Sequence, residues 1–212
     1  MSHQYKKNII PEKLKAEFRK GFYPHRPAFW LEDISYQRTS IKPDIEKCLS
    51  EIKKGRRQFS YPDHDALVFR ILKKVIKKYD LKQGADIGCA SGYFPAMQIA
   101  CGIEKCDIFE IRDLKIEHPK IEVRIEDLSV KKTLKPRYDL ITCLSTVEHI
   151  GLGRYGDPLD PRGDIQMAEN IFQLLKPGGI VLISFPVGKG SVVFNAHRIY
   201  SGYRIDQLLK DF

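Results

Sequence analysis

Short apolar runs alternate with helical patterns after Gly84, and this alternation limits the possible folds more than any other feature of the sequence. The apolar runs are Ala85–Gly88, Cys106–Ile111, Ile121–Ile125, Asp139–Leu144 and Ile180–Phe185. Helical spacing of apolar residues covers Tyr93–Cys101, Ile165–Leu175 and Tyr203–Lys210. Strands that alternate with helices indicate a parallel sheet with crossover helices. We therefore predict an α/β fold with a doubly wound, mostly parallel sheet, which binds its ligand at the carboxyl ends of the strands.

Basic residues are concentrated before the first of these runs. The 212 residues carry a formal net charge of +9. Residues 1–83 contain 20 Lys and Arg against 10 Asp and Glu, whereas residues 84–212 contain 16 against 17. We predict a basic extension of helices and loops over residues 1–61, which acts as a lid or a partner surface. The main domain then covers residues 62–212.

The sequence also limits where the protein works. No apolar run approaches the ~20 residues that a membrane-spanning helix needs, and the first residues show no secretory signal. The 5 cysteines are irregularly spaced and contain no Cys-x-x-Cys pair. This usage is typical of free thiols in a reducing compartment. We predict a cytoplasmic protein without a membrane span.

Small and acidic residues follow the first three runs. The pattern predicts a strand, a loop of small residues and the start of a helix over the segment Gly84-Ala-Asp-Ile-Gly-Cys-Ala-Ser-Gly-Tyr93. Small side chains let the backbone approach a ligand, and the N–H groups at the start of the helix attract an anionic group. The segment is neither a Gly-x-Gly-x-x-Gly fingerprint nor a P-loop. Glu110 ends the second run, where an acid can accept from both hydroxyls of a ribose. Asp127 follows the third run and could accept from an adenine amino group.

These motifs, in this order, resemble the class I S-adenosylmethionine-dependent methyltransferases. The resemblance covers residues 62–212 and includes Tyr138–Ile150 and Leu175-Lys-Pro-Gly-Gly179. More narrowly, Gly151–Asp164 and Pro186–Tyr200 resemble a poorly characterised methyltransferase-like family first noted in nematodes, with bacterial relatives near surface-polysaccharide genes. The resemblance implies a Rossmann-like fold with a terminal strand hairpin that this sequence lacks. We expect either a C-terminal truncation or a second subunit, as in a homodimer, over the open edge.

The resemblance also implies a cofactor and its site. S-adenosylmethionine is the expected cofactor, and S-adenosylhomocysteine its product. The expected cofactor-binding residues are Asp86, Gly88, Ala90, Gly92, Tyr93, Glu110, Asp127, Leu128, Leu144 and Ser145. Many members of the methyltransferase family carry a further glycine where this sequence has Cys89-Ala-Ser. The side chains here narrow the loop slightly and should still allow the cofactor to bind.

Two histidines are candidates for a catalytic base. His149 follows the fourth strand, and we place His197 in the loop after the fifth strand, so both are expected near the carboxyl edge of the sheet. The expected substrate-binding residues are Arg154, Tyr155, Asp160 and Arg162, which lie in a polar loop over residues 151–164 that is rich in glycine and proline, and Arg198. We predict no metal, although Glu148, His149, Asp157 and Asp160 could alternatively gather a divalent ion.

The polar loop favours a hydroxyl-rich or anionic acceptor, since two arginines can bind a phosphate or carboxylate. We predict an O-methyltransferase that acts on a carbohydrate or phosphorylated small molecule, in surface-polysaccharide biosynthesis. One alternative is an RNA methyltransferase that uses the basic N-terminal segment, with Phe29, Trp30 or Tyr36 stacked on bases. Another alternative is a non-catalytic binding protein of the same fold.

Overall fold

The computed structural model describes residues 28–30, 43–54, 62–89, 91–194 and 196–212, with only the backbone for 28–30 and 62–63. Most of the predicted basic extension, including Tyr36 and the side chains of Phe29 and Trp30, therefore lies outside the described residues, as does Ala90.

The five apolar runs form one parallel sheet, as predicted. Its strands, in chain order, are β2 (Gln83–Ile87), β3 (Lys105–Glu110), β4 (Ile121–Ile125), β5 (Tyr138–Leu144) and β6 (Leu175–Ser184). Their spatial order is β4-β3-β2-β5-β6. The order reverses next to β2, and a crevice is expected at the carboxyl ends of the strands at such a point.

Helices cover both faces of this sheet. They are α1 (Ile45–Lys53), α2 (Pro62–Tyr79), α3 (Tyr93–Cys101), α4 (Gly163–Leu174) and α5 (Gly202–Leu208). On one face, Leu72 of α2 and Met97 of α3 pack with Leu140. On the other face, Ile171 of α4 and Leu208 of α5 pack in a second cluster. The predicted helix over Tyr93–Cys101 is confirmed at both ends.

A second, small sheet was not predicted. It consists of β1 (Ala28–Trp30), β7 (Ser191–Phe194) and β8 (His197–Ile199), in the order β1-β7-β8. The β7–β8 pair is an antiparallel hairpin, and β1 adds to β7 in parallel. The placement of His197 in a loop was therefore wrong, because it begins β8. Among the described residues, only α5 follows this hairpin as a regular element.

Helix α1 packs on the main domain, although it lies within the predicted extension. Ile45 and Leu49 are buried with Ala96 of α3 and Ile108 of β3. A Cβ atom on Gly92 would lie 2.7 Å from Pro43 Cβ and 2.8 Å from Ile45 Cδ1. Gly92 is therefore needed where α1 approaches α3. The boundary between residues 61 and 62 stays a prediction.

Polar side chains are linked beneath the carboxyl edge. Gln98 donates to Thr142 Oγ1 at 2.8 Å, and the Thr142 hydroxyl donates to Asp86. Asp86 is 1% exposed. Burial raises the pKa of the Asp86 carboxyl to about 7, although the bond from Thr142 opposes this shift.

None of the described helices is long and apolar enough to cross a membrane. All five cysteines are free thiols.

Replacing Leu49 with alanine tests whether α1 belongs to the folded domain. Loss of this buried side chain should lower the free energy of unfolding by about 2–3 kcal/mol, measured by urea denaturation. The exposed Lys53→Ala variant on the same helix should change it by less than ~0.5 kcal/mol. Equal stability of the Leu49→Ala variant and the unmodified protein would show that α1 does not contribute.

The raised pKa of Asp86 predicts a pH dependence of stability. Its folded-state pKa of about 7 lies above the ordinary 3.8, so the folded protein binds this proton more tightly than the unfolded chain. Stability from this group is therefore present at low pH and is lost as the pH rises from about 4 through 7. The Asp86→Asn variant lacks this titration. Thermal unfolding should show the variant gaining stability relative to the unmodified protein between pH 5 and pH 8, and a pH-independent difference would contradict this expectation.

Candidate active site

A cleft of about 620 Å³, partly open to solvent, lies at the carboxyl ends of β2, β3, β4 and β5. Five of the predicted cofactor-binding residues line it: Gly88, Glu110, Asp127, Leu128 and Ser145. Strand direction explains the convergence, because parallel strands bring their carboxyl ends to one edge.

The turn after β2 approaches the end of β5 closely. Gly88 has a φ of +78°, and a Cβ atom there would lie 2.3 Å from Thr146 Cγ2. The Gly88 N–H donates to Phe109 O at 2.9 Å. Glycine is needed here both for its backbone conformation and for this contact.

Glu110 at the tip of β3 is held by Arg112, which the sequence analysis did not single out. Arg112 Nε lies 2.9 Å from Glu110 Oε1, and Arg112 Nη2 lies 2.6 Å from Oε2. The N–H groups of Ile111 and Arg112 also donate to Oε1, at 2.9 and 3.2 Å. Oε2 therefore retains capacity for one more donor, since a carboxylate offers about four acceptor sites.

Arg112 connects this strand tip to the polar loop. Its guanidinium carbon lies 5.0 Å from the centre of the Tyr155 ring, within the range of a cation–π contact. Both side chains line the cleft. A basic residue two positions after the acid was the available signal in the sequence, but its contact with Tyr155 depends on the tertiary fold.

Asp127 and Leu128 form the wall after β4. Asp127 Oδ1 accepts from the Ser129 N–H at 2.8 Å, which closes a local turn. Leu128 is 1% exposed, and its carbonyl accepts from Asn170 Nδ2 of α4 at 2.8 Å. This wall is therefore fixed to the helix behind it.

Ser145 follows β5 in the left-handed region, with a φ of +49°. Non-glycine residues adopt this conformation seldom, and such strain is concentrated at functional sites. The Ser145 N–H donates to Ser184 Oγ at 3.1 Å.

The other predicted cofactor residues that the structure describes lie outside the cleft lining: Asp86, Gly92, Tyr93 and Leu144. Asp86 lies beneath the site, bonded to Thr142. Gly92 packs against α1. Their direct contacts with a cofactor stay predictions, which this placement does not favour.

His149 lines the cleft from a short 3₁₀ turn, Val147–His149. Its Nδ1 donates to Ala196 O, so Nε2 carries the free lone pair. Burial lowers the pKa of His149 to about 4. The ring of His197 lies 6.4 Å away, and burial also lowers the pKa of His197. The structure thus brings the two predicted bases together, while their catalytic roles stay predictions.

Asp157 shapes the polar loop from inside. Its carboxylate accepts from the N–H groups of Gly151, Leu152, Gly153 and Tyr155 at 2.7, 3.2, 3.3 and 3.2 Å. A carboxylate that binds four backbone donors keeps the loop folded without an apolar core. The loop is therefore an ordered wall of the cleft, and Tyr155 is its predicted substrate residue that lines the site.

The remaining predicted substrate residues contact the loop or its neighbours. Arg154 Nη1 donates to Ala196 O at 3.0 Å. Asp160 Oδ1 accepts from the Arg162 N–H at 2.8 Å, and the Arg162 side chain is 70% exposed. Arg198 is fully buried in β8 and donates to the carbonyls of Ile150 and Asp160. An acceptor contact from Arg198 stays a prediction that its burial disfavours.

Asp164 anchors the end of the loop. This fully buried carboxylate accepts from the Tyr200 hydroxyl at 3.0 Å and from Arg204 Nε at 3.1 Å. Arg198 Nε lies 3.6 Å away. The loop, β8 and α5 are therefore tied to one buried charge.

Within the described part of the chain, no three His, Cys, Asp or Glu side chains are grouped to hold a metal ion. The alternative of a divalent ion at Glu148, His149, Asp157 and Asp160 has no support there.

Comparison with solved structures identifies the fold. An O-methyltransferase family protein from Burkholderia thailandensis is 11% identical, with a TM-score of 0.50 over 69% of this chain and 49% of that chain. The N-methyltransferase NodS from Bradyrhizobium japonicum WM9 is 17% identical, with a TM-score of 0.43 over 60% of this chain and 72% of that chain. CalS10, an amino pentose methyltransferase from Micromonospora echinaspora, is 17% identical, with a TM-score of 0.42 over 72% and 58%.

No curated protein matches the chain. The model of the family described as "Caenorhabditis protein of unknown function, DUF268" matches residues 82–212. The narrower resemblance to a family first noted in nematodes is thus confirmed. Because this match covers more than half of the chain, the protein belongs to the DUF268 family, and its Rossmann-like fold is that of the class I S-adenosylmethionine-dependent methyltransferases.

Proposed function

We propose that this protein is an S-adenosylmethionine-dependent O-methyltransferase that acts on a carbohydrate or phosphorylated small molecule in surface-polysaccharide biosynthesis. The convergence of Gly88, Glu110 and Asp127 in one cleft carries the proposal. These residues come from three different strand ends, in the order that the methyltransferase resemblance requires. The cytoplasmic location and the homodimer stay predictions.

The residues present fit this cofactor. Glu110 Oε2 can accept from a ribose hydroxyl without displacing Arg112, because its described partner is Arg112 Nη2 alone. Phe109 and Leu128 supply apolar surface for an adenine ring, and Asp127 can use Oδ2 for an adenine amino group while Oδ1 holds Ser129. When bound, the cofactor supplies an electrophilic methyl carbon on a good leaving group.

The chain then has to align an acceptor oxygen, and such positioning can supply about 7–11 kcal/mol. The polar loop supports a hydroxyl-rich or anionic acceptor. Tyr155 lies on the cleft wall, with the guanidinium carbons of Arg112 and Arg154 5.0 and 5.5 Å from its ring. Arg112 is paired with Glu110 and Arg154 donates to Ala196 O, so this wall is polar, and a polar wall suits a sugar or a phosphate better than an apolar acceptor.

The described basic residues give the RNA alternative less support. Helix α2 begins beside the carboxyl end of β6, where His64 meets Ser184, and ends before the start of β2. The exposed lysines of α2, namely Lys73, Lys74, Lys77 and Lys78, occupy its later turns. They therefore lie toward the edge of the sheet opposite the cleft.

Binding of S-adenosylhomocysteine tests the cofactor site. At about 100 times its dissociation constant the product should stabilise the protein by ~2.7 kcal/mol, or roughly 5–10 °C in melting temperature. The Gly88→Ala variant should lose most of this shift, because its new Cβ overlaps Thr146.

Gly178→Ala is the matched control. Gly178 has a similar φ of +76° but nothing within 4 Å of its Cβ position, so the variant should keep the full shift. If neither the cofactor nor its product raises the melting temperature of the unmodified protein, the proposed function is wrong, and the non-catalytic alternative gains support.

Transfer of a labelled methyl group tests the acceptor class. We expect label to enter nucleotide-activated hexoses or hexose phosphates, and to stay out of total RNA, when each is incubated with the protein and S-adenosylmethionine labelled on the methyl group. Label recovered in RNA, together with binding that weakens steeply as salt rises, would instead favour the RNA methyltransferase.

A further inference from the structure

Three side chains form a hydrogen-bonded row at the carboxyl end of β6. Asp65 Oδ1 lies 2.8 Å from His64 Nδ1, and His64 Nε2 lies 3.0 Å from Ser184 Oγ. His64 and Asp65 belong to the first turn of α2, and Ser184 is the last residue of β6. The row therefore joins two elements that are 120 residues apart in the sequence.

The chemistry of these groups fixes where the protons lie. An ionised carboxylate can only accept, so the His64 proton is on Nδ1 and Nε2 carries the lone pair. Nε2 then accepts from the Ser184 hydroxyl. The Ser145 N–H donates to Ser184 Oγ at 3.1 Å and also to the Ser184 carbonyl at 3.1 Å, which keeps the serine oxygen next to Ser145. The row thus points from the serine hydroxyl to the carboxylate, in the sense needed to remove a proton from Ser184.

The row adjoins the cleft. Ser145 lines the cleft and contacts Ser184 directly. The His64 ring packs edge-on against Phe94, with ring centres 6.4 Å apart. The His64 side chain is 31% exposed, whereas that of Asp65 is 8% exposed. The carboxylate is therefore sealed from solvent, while the imidazole is partly exposed. His64 and Ser184 lie just behind the residues that line the cleft, and Ser184 borders the cleft through its contact with Ser145.

His149 is less suited to remove a proton near neutral pH. Its ring is held by Ala196 O, and burial keeps its pKa at about 4, well below the value that suits a general base. Its place on the cleft wall is compatible with a role in acceptor orientation. His64, which is held by Asp65, is a candidate for the proton acceptor that His149 does not supply.

We propose that Ser184 is a catalytic residue that contacts the acceptor hydroxyl, and that His64, positioned by Asp65, takes up the proton. This inference rests on the proposed function. As the acceptor oxygen bonds to the methyl carbon, its proton passes to Ser184 Oγ, and the Ser184 hydroxyl proton passes to His64 Nε2. The electron pair of the broken carbon–sulfur bond stays on sulfur. The positive charge thus moves from the sulfonium to the imidazolium beside Asp65, which later returns its proton to solvent.

A purely structural role for the row predicts different results. Asp65 lies in the first turn of α2, where an acid stabilises the helix, and His64 could simply join α2 to β6. In a purely structural role, substitutions of these residues would lower stability. Such a role would not require a particular tautomer of His64, and imidazole would not restore the activity of a His64→Ala variant. The test therefore uses readouts that stability alone does not change.

The first readout needs no acceptor. Long-range ¹⁵N–¹H spectra of the ¹⁵N-labelled full chain report the His64 tautomer, with its signals identified by their loss in the His64→Gln variant. We expect a proton on Nδ1, and a shift of the proton toward Nε2 in the Asp65→Asn variant. A proton on Nε2 in the unmodified protein would overturn the proposal.

The second readout is methyl transfer to the nucleotide-activated hexose or hexose phosphate that the unmodified protein labels. His64→Gln and Ser184→Ala should lower kcat by about 10²-fold or more, with unchanged S-adenosylhomocysteine binding. The His64→Ala variant should recover activity on addition of imidazole. His118→Gln is the matched control, since the described partners of the His118 side chain are Glu46 and the Lys120 N–H, and it should keep full activity.

The outcomes separate the two proposals. Full activity of His64→Gln, or no recovery with imidazole, overturns the role of His64 and leaves the methyltransferase proposal intact. If the unmodified protein binds S-adenosylhomocysteine but labels none of these sugars, the proposed acceptor class fails, and the catalytic role of the row fails with it.

Discussion

The parallel pairing of β2 with β3 and β5 is the constraint on which the rest of the structure depends. In this register Asp86 faces Thr142 on one side and Ile108 on the other, so the three strands end at nearly the same height. Each strand end carries a different group that lines the cleft. Gly88 forms a turn after β2, Glu110 places a carboxylate at the end of β3, and Ser145 follows β5 in a strained backbone conformation. The cleft arises from strand direction, before any side chain of the loops is considered.

Buried carboxylates shape what lies above this edge. Asp157 folds the polar loop by accepting from four backbone N–H groups, and Asp164 gathers Tyr200 and two arginines behind it. Breaking a buried ion pair by removing one partner commonly costs about 3–5 kcal/mol, because the other charge stays buried. The acidic and basic residues of the loop therefore serve first to keep it folded. Tyr155 is then presented to the cleft on a rigid wall.

The sequence predicts the sheet, most of the helices and seven of the residues that line the cleft, because periodicity and strand order are local properties. It fails where a role depends on distant contacts. Gly92 is conspicuous as a small residue of the loop, but the space beside it is occupied by Pro43 and Ile45. Arg198 looks like a loop cation, yet pairing of β7 with β8 buries it. Ser184 and His64 carry no local signal that they meet.

The contact between Gly92 and Pro43 also bears on how members of this family should be delimited. The family match begins at residue 82, after α1 and α2. A protein made from residues 82–212 alone would leave the Gly92 turn uncovered and expose the surfaces on which Leu49, Leu72 and Ile76 pack. The segment that relatives share in sequence is thus smaller than the unit that folds. Gene fragments chosen by the limits of the family match would yield aggregation-prone proteins, whereas those that include Pro43 and the residues after it would keep the packing of α1 and α2 on the sheet.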